Sequence, residues 1–334
     1  MIHRLAVALV GLTAASACAS DPAHTFPARD FVCATPDPAC TTDTPSRDEA
    51  TRTVALPFGR DGSTMAYVVS RITLPEARPV SGARPQAAGF NLDGMDVVES
   101  DTSGDCRGAA EDFVSTSEPG ATGVDNAFQR FVPAVESLLT AEECPGGTTD
   151  GCLDATLLRQ IQLGELLLLL EVEGLDDYLF DDAVTVRLSL GDVAGGGAPM
   201  QAGDTVAAGQ TFTVGRTLGE PYAGDVFNGR LRIRADRFAL SINTGDVPLE
   251  VVVRDAEVRF DISETGLSNG MIGGALLVTD IAAAAELAFE GGADIVGPIA
   301  RGAADLDPSV ADPTVCEAAS VGITFEATSA VVER

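Results

Sequence analysis

Apolar and polar residues alternate along much of the chain after residue 50, with the period of two that is typical of β-strands covering a core on one face. The clearest example is Ala183 to Leu190, in which every second residue from Val184 onward is valine or leucine. The segments Arg230–Ala235 and Val258–Ile262 repeat the pattern, with arginine or acidic residues at the polar positions, and we expect the arginines to pair with glutamates or aspartates across strands. Further segments of this kind are Thr53–Pro57, Met65–Leu74, Phe238–Ile242 and Leu249–Val253. The pattern predicts a mainly β fold, an antiparallel sandwich-like or meander domain.

Helical patterns are few and stand apart from the strands. A stretch of apolar residues at spacings of three and four follows Asp125, with Pro133 expected to kink or restart that helix. A second helix is expected to be capped by Asp154 and to end at Gly164, and a third spans 280–290. We expect a few short helices at one end of the domain.

The strand that follows the second helix has features with more than one interpretation. Leu166–Leu170 is apolar on both faces, which indicates either a strand buried on both sides or the wall of an apolar-ligand cavity. Glu171 and Glu173 share one face of this strand and could be the paired carboxylates of a hydrolase. In a chain this acidic, we expect them instead to face solvent or pair with arginine.

The first 17 residues have the features of an export signal: a basic start, a short apolar stretch and small residues at the end. Cys18 follows them, as in the lipobox of bacterial lipoproteins. The alternative is ordinary cleavage that leaves Cys18 unmodified. Residues 18–48 are rich in proline, threonine and aspartate, and we interpret them as a lipid-anchored tether. Residues 49–334 then form the globular domain.

Seven cysteines are an odd number, and a lipid on Cys18 leaves six that can pair in an oxidising compartment. Sequence separation is the only guide to their connectivity. It favours two local loops and one long closure. The expected pairs are Cys33 with Cys40, Cys144 with Cys152, and Cys106 with Cys316.

Composition excludes several classes of function. Fifty acidic residues against 21 basic ones give a formal charge of -29, which repels nucleic acid. Every basic residue is arginine, so chemistry that depends on lysine is excluded, including Schiff bases and the phosphate-binding P-loop. Both histidines, His3 and His24, precede the domain. Without imidazole in the body of the protein, we expect no enzyme of the triad or zincin type.

Three short motifs resemble an uncharacterised group of predicted secreted lipoproteins from myxobacterium-like bacteria. They are Ile72–Pro75, Gly89–Gly94 with the letters GFNLDG, and Gly123–Asn126 with the letters GVDN. In that group an LDG-like stretch runs almost directly into VDN and then a helix. Here residues 95–122 separate the two motifs as an insertion. The resemblance implies that Asp93 and Asp125 come together in space while the insertion loops out.

The same motifs contain oxygen ligands of the type that calcium prefers, beside a glycine. The candidate metal ligands are Asn91, Asp93, Asp96, Asp125 and Asn126. The spacing does not match an EF-hand. The alternative is that Asp125 or Asn126 caps the following helix while Asp93–Gly94 forms a turn.

These observations favour a non-enzymatic structural or binding module, exported to the cell envelope and anchored to the outer membrane through a lipid on Cys18. The sequence does not identify its protein or ligand partner. A carboxylate-dependent hydrolase and a carrier of apolar ligands are the alternatives.

Overall fold

The structure is a computed structural model that describes residues 63–74, 84–97, 106, 112–118, 120–244, 247–288 and 290–334. For residues 240–244, 247–251 and 288 it describes the backbone alone. The predictions for the signal, the tether, the Thr53–Pro57 strand, Cys18 and the Cys33–Cys40 pair lie outside the described residues. None of the helices in the described part of the chain has both the length and the apolar character needed to cross a membrane.

Most of the described chain is β-structure. The strands are β1 Ser63–Thr73, β2 Gln86–Ala87, β3 Val114–Ser115, β4 Leu168–Leu175, β5 Phe180–Val193, β6 Gln201–Ala202, β7 Thr205–Val206, β8 Gln210–Phe227, β9 Arg230–Thr244, β10 Val247–Ile262, β11 Gly266–Leu277, β12 Leu306–Pro308 and β13 Cys316–Glu333. The helices are α1 Phe128–Glu136, α2 Cys152–Leu163, α3 Val278–Ala288 and α4 Gly292–Ala303, with a short 3-10 helix at Ala141–Glu143. The prediction of a mainly β fold with a few short helices is confirmed.

Eight long strands form one sheet that closes on itself, in the order β1-β4-β5-β8-β9-β10-β11-β13 and back to β1. Their pairing in this order is antiparallel. Closure depends on β13, which pairs with β11 along one edge and with β1 along the other, so that Tyr67 lies opposite Ser329. Strands β8 to β11 follow one another as a meander, but the barrel-like closure replaces the two stacked sheets of a sandwich.

Large side chains fill the interior of this closed sheet. Tyr67 lies opposite Leu170, which lies opposite Leu188, so the three share one face. All three are almost fully buried. The Phe260 and Phe325 rings meet edge to face with centroids 5.9 Å apart. Other fully buried strand residues include Phe212, Leu231 and Ile233.

Helices cover the outer face of part of the sheet. Helix α2 packs against β1, α1 and α4 pack against β13, and α3 packs against β11 and β13. Leu169, on the outer face of β4, is fully buried, as are its neighbours along Leu166–Leu170. A Cβ on Gly191 would lie 2.5 Å from Leu169 Cδ1 and 2.9 Å from its Cγ, so a larger residue there would have to displace the buried leucine. The interpretation of this leucine run as a strand buried on both faces is confirmed.

Helices α1 and α2 differ from the predictions at Pro133 and at the N-cap of α2. Helix α1 continues through Pro133, so this proline neither ends nor restarts it. Helix α2 ends at Gly164 with left-handed backbone, as predicted. Its N-cap is Gly151 and not Asp154, whose Oδ1 instead accepts a hydrogen bond of 2.7 Å from the Leu74 backbone N–H. Asp154 therefore joins the helix to the end of β1.

Two segments that the sequence predicted as separate strands form one continuous strand, β10. The segments ending at Val253 and beginning at Val258 both belong to β10. Between them Asp255 adopts a φ of 47°, and the register with β11 shifts between Arg254 and Glu257. The irregularity interrupts the alternation of apolar residues without interrupting the strand.

Candidate functional site

The LDG and VDN motifs meet on the outer face of the sheet. The Asp125 carboxylate accepts hydrogen bonds from the backbone N–H groups of Leu92, at 2.6 Å, and Asp93, at 3.3 Å. The Asp125 backbone N–H donates to the Phe90 carbonyl at 2.9 Å. Asp93 and Asp125 therefore lie side by side despite the insertion between them, in the arrangement that the resemblance implied.

The last residues of VDN attach this pair of loops to the sheet. The Asn126 side chain is buried, and its Nδ2 donates to the carbonyls of Ala88, at 2.7 Å, and Gly322, at 3.2 Å. The Ala127 N–H donates to Ser320 Oγ at 2.7 Å, and that hydroxyl donates to Asp305 Oδ2 at 2.6 Å. We call residues 88–94 and 124–127 the clasp, because together they bind the loops to β13.

The remaining polar residues of the clasp region stabilise its turn. Asn91 Oδ1 accepts from the Gly94 N–H, and Asn91 Nδ2 donates to the Met95 carbonyl. The Asp96 carboxylate pairs with Arg84 at 2.6 Å. Burial alone would raise the pKa of Asp96, but hydrogen bonds from Thr122 and Arg84 hold it below the ordinary value.

The structure does not bring the five calcium candidates into one ligand set. Asp125 Oδ2 accepts from two backbone N–H groups, Asp96 pairs with an arginine, and Asn126 Nδ2 donates to two carbonyls. Among the described residues, no group of three or more histidine, cysteine, aspartate or glutamate side chains is placed to hold a metal ion. Asp125 and Asn126 do not cap the helix either, since its N-cap is Ala127 without a side-chain cap. The amides that satisfy Asp125 come from the Asp93 turn.

The insertion between the motifs takes part in the fold, contrary to the expectation that it would loop out with little effect. Phe113 and Val124 exchange two backbone hydrogen bonds of 3.0 Å. Strand β3, within the insertion, pairs in parallel with β2. A disulfide joins Cys106 to Cys316 at the start of β13, with the Cα atoms 4.9 Å apart. A second disulfide joins Cys144 to Cys152. Both pairs are those expected from sequence separation.

The insertion also supplies partners for a buried arginine on β10. Arg259 is 7% exposed, and its guanidinium carbon lies 4.6 Å from the centroid of the Phe90 ring. It donates to Glu118 and to Ser117 Oγ. Burial lowers the pKa of Arg259, against the opposing effect of the Glu118 carboxylate. This residue connects the clasp, the insertion and the sheet.

Other arginines on the outer face of the sheet pair with acidic residues on neighbouring strands, as the alternating sequence predicted. Arg230 pairs with Asp261 at 2.8 Å and Arg232 pairs with Asp225 at 2.9 Å. A looser pair joins Arg234 to Glu257, and on β4 and β5 Arg187 pairs with Glu173. The face therefore carries neutralised charges.

Two carboxylates on this face of β10 have pKa values shifted in opposite directions. Burial raises the pKa of Glu257, with Arg234 acting against the shift. Burial would also raise the pKa of Asp261, but hydrogen bonds from Arg230 and Asn269 lower it. The difference has two causes: Glu257 is the more deeply buried carboxylate and has only a more distant arginine, whereas Asp261 is more exposed and has close donors.

Sequence reasoning missed an exposed apolar group where β5 begins and β8 ends. Leu179, Phe180 and Phe227 are 49%, 36% and 47% exposed, and we call these three residues the tip. The two rings meet edge to face with centroids 5.5 Å apart, and the Arg232 guanidinium carbon lies 5.6 Å from the Phe227 centroid. The sequence signal available was an apolar pair embedded in a run of aspartates, Asp176–Asp182.

The glutamates considered for a hydrolase are held by arginines. Arg334 lies 3.0 Å from Glu171, which is buried, and Arg187 lies 3.2 Å from Glu173. The arginine-paired interpretation of these two residues is confirmed.

Comparison with protein-family models finds no match to this chain. Curated proteins and solved structures also give no match.

Proposed function

We propose that the protein is an exported lipoprotein of the cell envelope, anchored to the outer membrane by an acyl group on Cys18, and that it acts as a non-enzymatic binding module. The anchor is proposed from the signal-like residues 1–17 and the cysteine that follows them, and the observation that supports a non-enzymatic role is the clasp. Its acidic motif, the most promising chemistry in the sequence, is engaged in holding loops to the sheet through Asp125 and Asn126.

The alternatives receive less support from the geometry. For a hydrolase, the strongest candidates by pKa are Glu257 and Asp280, whose pKa values burial raises. Their nearest charged partners are arginines, Arg234 for the first and Arg254 for the second, which favours a structural role. For an apolar-ligand carrier, the interior of the closed sheet is occupied by large side chains such as Phe260.

A binding role agrees with the surface of β5, β8 and β9. Exposed aromatic rings and arginines are the side chains that contribute most to protein interfaces. The tip supplies two phenylalanines, and Arg232 lies against one of them. We therefore assign the binding surface to this outer face.

The anchor is tested by mass spectrometry of the mature N-terminus together with fractionation of membranes from a producing cell. We expect an acylated Cys18 and membrane-bound protein. Cys18→Ser should release the protein from the membrane fraction, whereas the matched variant Cys33→Ser should stay bound. An unmodified Cys18, or a chain beginning at Ser20, would remove the anchor from the proposed function.

A further inference from the structure

Three turns meet at the end of the sheet that carries the tip. The Gly229 N–H donates to the Leu179 carbonyl at 3.1 Å, and the Ile262 N–H donates to the Gly229 carbonyl at 3.0 Å. The Tyr67 hydroxyl, from inside the sheet, donates to the Ser263 carbonyl at 2.8 Å. These bonds connect the β4–β5, β8–β9 and β10–β11 turns, so the exposed tip lies on turns that are held together by hydrogen bonds.

Acidic residues surround the tip. Asp177 Oδ1 accepts from the Leu179 N–H at 2.7 Å, and the Asp181 carboxylate accepts from the N–H groups of Asp176 and Ala183. These bonds hold two carboxylates in place beside the tip. Asp182 is exposed on the same segment. The acidic group consists of Asp177, Asp181, Asp182 and Glu264.

Glu264 belongs to this group because of its place on the β10–β11 turn. Together with burial, which has the larger effect, its carboxylate raises the pKa of Tyr178, the residue that precedes Leu179. On the other side of the tip, Arg230 and Arg232 are neutralised by Asp261 and Asp225. The surroundings of the apolar tip are therefore net negative.

We propose that the tip docks a protein segment in which an aromatic or aliphatic side chain is flanked by arginine or lysine. This inference rests on the proposed binding function and names the chemistry of the partner. Charge complementarity selects the occupant. A second copy of the chain would bring two sets of the same carboxylates together, and anionic lipid headgroups would be repelled by them.

The test uses the full mature chain and three synthetic peptides, each with one central Leu-Phe pair. The flanking residues are arginine in the first peptide, serine in the second and glutamate in the third, and binding is measured by fluorescence anisotropy. We expect the arginine peptide to bind at least tenfold more tightly than the serine peptide, and the glutamate peptide most weakly. The advantage of arginine should shrink when salt is raised from 50 to 500 mM, because exposed charges are screened.

Variants separate the two parts of the recognition. Leu179→Ser, at an exposed turn, should weaken binding of the arginine and serine peptides alike by at least fivefold. Asp182→Asn should weaken binding of the arginine peptide and leave the affinity for the serine peptide unchanged. Met200→Ser, which removes another exposed apolar side chain far from the tip in sequence, is the matched control and should change neither.

Several outcomes would overturn the proposal. Equal binding of the three peptides would contradict the role of charge complementarity. Peptide affinities that do not change in Leu179→Ser would show that the peptides bind elsewhere. Dimers in sedimentation that Leu179→Ser dissociates would make a second copy the occupant. Binding to phosphatidylglycerol vesicles that the same variant abolishes would make lipid the occupant. Acylation of Cys18 is measured in a separate experiment. If the peptides do not bind, the proposal of a lipid anchor is unaffected. If Cys18 is unmodified, the proposal that the tip binds a protein segment is unaffected.

Discussion

The outer face of the sheet is stabilised differently in two regions. Over β1, β11 and β13 it is covered by helices and by the clasp, and the carboxylates of Asp125 and Asp305 are buried there against backbone N–H groups and a hydroxyl. Over β8 and β9 it carries the exposed side chains of Phe227 and Arg234, and Arg232 pairs there with Asp225. We call these the covered half and the open half.

The difference shows how one very acidic chain uses its carboxylates. In the covered half, Asp125, Glu136 and Asp305 each accept at least two hydrogen bonds from the protein and are almost fully buried. A buried charge without such donors would be very costly. In the open half water supplies part of the solvation, so arginine pairing suffices and contributes little stability. Substitutions of carboxylates in the covered half should therefore lower the free energy of unfolding more than those in the open half.

The largest effect is expected from the long disulfide of the covered half. Replacing Cys106 and Cys316 together by serine should lower the free energy of unfolding by about 5 kcal/mol, because the bond closes a very long loop in the unfolded chain. Replacing Cys144 and Cys152 together should cost about 2.5 kcal/mol, since their loop is short. Denaturant unfolding of both double variants under oxidising conditions measures the difference. Equal losses would show that loop closure does not set the contribution.

The next effect concerns the clasp. Asp125→Ala leaves the N–H groups of Leu92 and Asp93 without their acceptor, and we expect a loss of about 3 kcal/mol. Asp225→Ala, which removes a carboxylate of the open half, should cost less than about 1 kcal/mol. Thermal or denaturant unfolding compares the two. If Asp225→Ala cost as much as Asp125→Ala, the distinction between the halves would fail.

A smaller effect is expected where Glu136, at the end of α1, meets the start of α2. Its carboxylate accepts from the Leu153 N–H at 2.9 Å and from the Gly151 N–H at 3.3 Å, so it serves as an N-terminal cap supplied by another helix. Glu136→Ala should cost about 1 to 2 kcal/mol. The exposed Glu142→Ala is the control and should lie within about 0.5 kcal/mol of the parent. A loss for Glu136→Ala no larger than that for the control would contradict this capping role.

The smallest effects are expected in the open half, and they depend on pH. The pKa of Asp261 is lowered on folding, so its ionised form adds stability above the ordinary value of 3.8, and this contribution is lost as pH falls through the lowered pKa. The pKa of Glu257 is raised, so its ionisation removes stability as pH rises through the ordinary value of 4.5 toward the raised pKa.

Two variants test this contrast. At pH 7, Asp261→Asn should be slightly less stable than the parent and Glu257→Gln slightly more stable. Both differences should shrink as the pH falls below the ordinary values, because the parent carboxyls then become protonated. Unfolding curves recorded from pH 3 to 7 measure them. A loss of stability for Glu257→Gln at pH 7 would mean that its pairing with Arg234 outweighs burial.

Much of the strand content could be predicted from the sequence, but some strands were missed. The alternating residues of β5 and β9 predicted both strands and the paired arginines on their polar face. Strands β8, β11 and β13 were not predicted, because glycines and small residues such as Gly270 and Gly322 obscure the alternation. A Cβ at Gly322 would lie 2.5 Å from the Ala88 carbonyl oxygen, so the clasp itself requires that glycine. Helix α4 was missed for a related reason, since glycine and Pro298 interrupt its apolar pattern.

The candidate site was predictable only in part. The order of the motifs was enough to place Asp93 beside Asp125. It was not enough to say what neutralises the Asp125 carboxylate, because a calcium ion, the N–H groups of a helix N-terminus and the N–H groups of a turn can all bind similar acidic residues. That choice depended on where the backbone N–H groups of residues 92 and 93 point, which is decided by the turn after Phe90.

The sequence by itself determined which residues of the clearly alternating strands, such as β5 and β9, face the core, because successive side chains of a strand point to opposite faces. It also determined the balance of charge and which cysteines were available to pair. Only the tertiary structure decided that the sheet closes, since closure joins β1 to β13 across 250 residues of chain and has no local signature. It also decided which half of the outer face is covered and that Phe180 meets Phe227. Those contacts depend on strand register and on helices docking from distant parts of the chain.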